Sequence, residues 1–185
     1  MQKIQKLWMQ SCSRKDAYME RKFNAGNVAK LGVLVALAMI FSYVELLIPF
    51  SVGIAGVKLG LANLVVVIGL YILSATEVFL VSMVRIFLMA LLFGNGASIL
   101  YSLAGGILSF LVMLIAKKFS GLSIVGISIL GAVFHNIGQI MAAAWMLGTM
   151  KILSYLPVLL IAGIVTGMAI GIVAGQILNR IKMLS

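Results

Sequence analysis

The side chains able to do chemistry in this chain are few, and most lie within apolar sequence: Lys58, Asn63, Arg85, Asn95, Tyr101, His135, Asn136 and Gln139. They are cations, hydroxyls, amides and an imidazole, a set suited to holding a small polar ligand. Carboxylates, which most acid–base and Mg²⁺ chemistries need, number four in 185 residues: Asp16, Glu20, Glu45 and Glu77. One histidine, one cysteine (Cys12) and scattered acids cannot build a coordination shell. The expectation is a protein that binds without catalysing, with no metal and no cofactor.

The spacing of these residues adds detail. His135 and Gln139 are i, i+4 and share a helix face, with Asn136 about 100° away. Arg85 falls in the middle of an apolar run. Unpaired at mid-membrane it would cost about 2.5–3.5 kcal/mol, so it needs a carboxylate, backbone carbonyls or an anionic ligand. Pairing with Glu45 or Glu77 would fix helix register, whereas contact with a ligand anion would make it functional. Both readings stand at this level, as do ligand contact and interhelical hydrogen bonding for His135. Trp145 and Tyr155 read as interface anchors, and the 12 methionines as filler or lipid-facing residues.

The elements that must position these groups are membrane helices. With 63% hydrophobic residues and 10% charged, the chain has too little polar surface to coat a water-facing globule. Apolar runs extend over about Ala29–Ile48, Leu61–Leu73, Val78–Phe93, Ala97–Ala116, Ser123–Leu147 and Ile152–Leu178, where about 20 residues cross a bilayer core. The fold class expected is therefore all-α, a bundle of six transmembrane helices over residues 29–182. A basic cytoplasmic arm, residues 1–28, precedes it. The second and third runs are separated only by Ser74–Glu77 and read as a hairpin, because together they are too long for one crossing.

The net charge of +10 is a topology signal. With the N-terminus inside, the cytoplasmic segments hold Lys3, Lys6, Arg14, Lys15, Arg21, Lys22, Lys30, Lys117, Lys118, Arg180 and Lys182, and the outer loops hold only Lys58 and Lys151. That bias places both termini in the cytoplasm of a multi-pass protein of the cell membrane and makes nucleic acid an unneeded partner. Cys12 is alone in the arm, so no disulfide forms within the chain. Ile4, Leu7 and Trp8, at helical spacing between Lys and Gln, suit a short helix on anionic lipid or one that docks a partner.

The short turns force sequential helices to lie antiparallel, while the segment from Pro49 to Gly60 is a glycine-rich apolar loop expected to fold into the bundle mouth. Gly163, Gly167, Gly171 and Gly175 put a groove on one face of the last helix, where another backbone can approach. Gly32 and Ala36 give the first helix a smaller face of the same kind. Ordered by depth, the polar residues fill the outer half of the bundle and stop near its middle. That arrangement suits a cavity open to the outside.

Three strings carry a family resemblance: VKLGLANLVVVIGLY (Val57–Tyr71), LLFGNGAS (Leu91–Ser98) and GAVFHNIGQ (Gly131–Gln139). They resemble the family labelled heptaprenyl diphosphate synthase component I, also called Gx transporters, over roughly Lys30 to Leu178. That family resembles the substrate-binding S components of energy-coupling factor (ECF) importers. The resemblance implies six helices, an outer loop capping an outward pocket, and a first-helix face that docks a membrane scaffold coupled to two ATPases. Gly32 and Ala36 stand where that docking face would be. A small cofactor or cofactor precursor, flavin-like or isoprenoid-related, is the implied substrate. The alternative is a non-catalytic membrane anchor for polyprenyl diphosphate synthesis, since prenyl elongation needs clustered aspartates and the chain has only Asp16.

Overall fold

The computed structural model describes residues 25–47, 60–93, 96–119 and 121–184. The chain divides into an N-terminal unit, Met1–Leu34, and a second unit, Val35–Ser185. Of the first, the described part (25–34) is helical; the basic arm before it lies outside the described residues. The described residues form six α-helices in chain order: α1 (Ala25–Leu47), α2 (Asn63–Ile72), α3 (Ala75–Phe93), α4 (Gly96–Phe119), α5 (Ile124–Leu147) and α6 (Leu156–Leu184), with a 3-10 turn, Met150–Tyr155, leading into α6. The all-α fold expected from the apolar runs is the fold observed. Hydrocarbon offers no partner for backbone N–H and C=O groups, so each segment satisfies its own.

Five of the six helices (all but α2) are long and apolar enough to cross a membrane. With 10 residues, α2 is the exception. At 1.5 Å per residue it spans only about 15 Å, half a bilayer core. It is also the most enclosed element: Asn63 through Val67, Gly69 and Leu70 are buried. Its Leu64, Val67 and Leu70 enter a core with Val78 of α3, Phe110 and Met113 of α4, Ile127 of α5 and Ile170 of α6. A helix touched on every side reads as a continuous apolar run, and LVVVIGL is one.

A short buried helix exposes its end groups to an apolar medium, and here charged side chains meet them. The Glu45 carboxylate of α1 accepts the N–H of Gly60, the residue that opens the turn into α2. Gly60 has φ +84°, a backbone conformation open to glycine and strained for other residues. At the other end, the Lys117 ammonium of α4 donates to the Leu70 carbonyl and lies 4.8 Å from the centre of the Tyr71 ring. Acid at the N-terminus and base at the C-terminus both complement the helix dipole. The link to α3 is a capping box: Ser74 N–H and hydroxyl donate to the Glu77 carboxylate at 2.9 and 2.6 Å, and Glu77 N–H donates back to the Ser74 hydroxyl at 3.4 Å. The S-x-x-E pattern announces this in the sequence.

Glycine sets the packing of the other half, where α5 runs between α4 and α6. A Cβ at Gly167 would stand 2.7 Å from Ile129 Cα, and one at Gly171 2.6 Å from Val125 Cα. The last helix thus uses its glycine face on α5, as internal packing requires; Gly175 meets nothing within 4 Å among the described residues. Between α4 and α5 the approach is as close, with a Gly138 Cβ 2.7 Å from the Ala104 carbonyl oxygen.

Candidate functional site

The structure divides the predicted site residues between two places. Along α5, His135 and Gln139 turn toward α4: a Cβ at Gly105 would lie 2.8 Å from Gln139 Cγ and 3.2 Å from His135 Cε1. Asn136 turns the other way. Its side-chain amide donates to the Leu159 carbonyl of α6 at 2.8 Å, over the space that Gly163 leaves open. The 100° separation that the sequence gives these residues thus sends them into different helix interfaces. All three are buried. Tyr101, a turn before Gly105 on α4, packs against the Ile140–Ala143–Leu159 cluster.

The second place joins α1, α2 and α3. Arg85 of α3 is 8% exposed and donates through Nη1 to the Ser42 hydroxyl of α1 at 3.2 Å. Glu45, a turn beyond Ser42, is the carboxylate whose charge acts on Arg85. Glu45 also holds the Gly60 N–H. Gly60 in turn accepts the backbone N–H of Asn63 at 2.8 Å, and a Cβ on Gly60 would lie 3.1 Å from Asn63 Nδ2. Ser42, Glu45, Asn63 and Arg85 therefore form one buried polar cluster, with α1 and α3 further joined by a Tyr43–Phe93 ring contact at 5.2 Å. Of the two carboxylates open to Arg85, Glu77 is taken by the capping box, and Glu45 fills the role.

Donors in this cluster remain available. Arg85 Nε and Asn63 Nδ2 are buried and have no hydrogen-bond partner among the described residues. Ser109 and Ser128, farther along α4 and α5, are buried with the same status. Ser42 and Glu45 complete the cluster although neither was among the predicted ligand contacts. For Glu45, being one of four carboxylates in an apolar run was the signal; Ser42 gives none.

Two predicted contacts, Lys58 and Asn95, lie outside the described residues. Gly32, in the first unit, and Ala36, in the second, are both exposed. Trp145 is 79% exposed, as an anchor on the membrane-facing surface would be.

Long apolar helices, glycine-mediated packing and buried polar clusters together define a multi-pass α-helical membrane protein. The chain belongs to the heptaprenyl diphosphate synthase component I family, whose model matches residues 34–177. No curated protein and no solved structure matches it.

Proposed function

We infer that this protein is the membrane-embedded substrate-binding subunit of a transporter, of the S-component type. It takes up a small cofactor or cofactor precursor, flavin-like or related to isoprenoids and quinones, with partner ATPase subunits supplying the energy. The observation that carries the reading is the buried pair of donors, Arg85 Nε and Asn63 Nδ2, left without a described partner beside the start of a half-length helix. Unmade hydrogen bonds in a membrane interior are costly, and a ligand acceptor supplies them.

A non-catalytic role is consistent with how the carboxylates are used. Glu45 holds Gly60 and compensates Arg85, Glu77 caps α3, and Asp16 and Glu20 belong to the N-terminal arm. The charge bias argues for both termini in the cytoplasm of the cell membrane, and the exposed Gly32 and Ala36 suit contact with a membrane scaffold.

Native mass spectrometry of the detergent-purified protein tests the binding role. A retained small molecule is expected, lost on Asn63→Ala or Arg85→Met with helical content unchanged; a wild-type protein that never carries one overturns the reading. The family description favours a second reading, a membrane anchor for a prenyl synthase. Copurification separates the two, since ATPase subunits go with transport and a soluble prenyl synthase with anchoring.

A further inference from the structure

The charge of the ligand can be read from the Ser42–Glu45–Asn63–Arg85 cluster, an inference that rests on the receptor reading above. Among the described residues, Arg85 and Glu45 are the two buried charged side chains. Their charges cancel, and Arg85 spends one guanidinium nitrogen on Ser42. Arg85 Nε and Asn63 Nδ2 are two further donors, buried and without a partner among the described residues. One turn away, Ala38 before Ser42 on α1 and Met89 after Arg85 on α3 are buried and apolar, and Ser82 before Arg85 adds a buried but uncharged hydroxyl.

A cluster whose described side chains carry no net charge, and which has two donors without a described partner, suits an oxygen acceptor on an uncharged body. An entering anion would meet the Glu45 carboxylate as well as Arg85, and like charges in a low-dielectric interior repel strongly. We propose that Glu45 makes this site selective for an uncharged, acceptor-bearing ligand, a carbonyl, quinone or hydroxyl compound, and excludes a diphosphate or other anionic headgroup. Glu45 is thereby a specificity-determining residue, acting through Arg85. The diphosphate in the family's description is a group that this site would turn away.

The test is isothermal titration of the full chain in lipid nanodiscs with inorganic pyrophosphate as the probe. Wild type is expected not to bind it at millimolar concentration. Glu45→Gln removes the negative charge but keeps an acceptor oxygen for the Gly60 N–H. This variant is expected to bind pyrophosphate at least about tenfold more tightly than wild type, and Glu45→Gln/Arg85→Met to lose that gain. Pyrophosphate binding by wild type that Arg85→Met abolishes overturns the proposal, as does a folded Glu45→Gln protein with no gain. If Glu45→Gln does not fold, the comparison of wild type with Arg85→Met still decides. The molecule retained in native mass spectra is a second, independent check: an uncharged one supports the proposal and a phosphate- or carboxylate-bearing one overturns it. A charged ligand lost on Arg85→Met would leave the receptor reading intact, whereas an empty protein would remove that reading without touching the pyrophosphate result.

Discussion

In the α4–α5–α6 half of the molecule, Asn136 reaches a backbone carbonyl of the next helix, and glycines bring the helices close enough for it to do so. In the α1–α2–α3 half, Arg85 reaches across to Ser42 and feels Glu45, yet its Nε has no partner among the described residues. Both halves bury polar side chains in an apolar bundle, and both do so with a backbone group close by. The difference lies in what the packing leaves over. Where a glycine lets two helices touch, a polar side chain is consumed as glue. Around a half-length helix, side chains must close its ends, and two buried donors have no partner among the described residues.

The sharpest way to break this comparison is to crowd the tight half. Gly167→Val or Gly138→Val places methyl groups where a Cβ alone already falls 2.7 Å from neighbouring backbone atoms. Overpacking costs about 1–3 kcal/mol and more against rigid backbone, so both variants are expected to fail to assemble, read as loss of the monodisperse peak in size-exclusion chromatography. Wild-type elution and melting behaviour would mean the helices are not in contact there.

Next in size is the charge couple. Glu45→Met leaves Arg85 buried and uncompensated, and Arg85→Met does the same to Glu45, at about 3–5 kcal/mol each. The double variant is expected to recover part of the loss, because the two charges leave together while the buried Gly60 N–H still lacks its acceptor. Thermal unfolding in detergent gives the cycle; additive losses would show that the two charges do not interact.

The two asparagines then separate the halves directly. Asn136→Ala removes one interhelical bond, worth about 0.6 kcal/mol on average in membranes and at most about 1.7, and leaves ligand retention unchanged. Asn63→Ala is expected to do the reverse: little change in melting and loss of the retained molecule. An exchange of these phenotypes would move the site to α5.

The smallest effects belong to the end groups. Ser74→Ala breaks the capping box at about 1 kcal/mol, and faster hydrogen exchange at residues 75–78 is the readout. Protection unchanged at those amides would mean that the cap contributes nothing.

Composition was enough to read a membrane bundle, because six apolar runs in a chain with four carboxylates leave too little polar surface for a water-facing globule. The glycine repeat of α6 was legible for the same reason: a period of four on a helix is a face, and lipid gives helices little else to associate by. Ser74–Glu77 was read only as the break between two runs; the structure makes it a capping box. The sequence also bounded the partner of Arg85 to two acids by scarcity alone. Which acid it is, that HNIGQ divides between two interfaces, and that Lys117 closes α2 from 47 residues away depend on helix rotation and register. Those are set by side-chain contacts summed over the whole bundle, and no local pattern carries them.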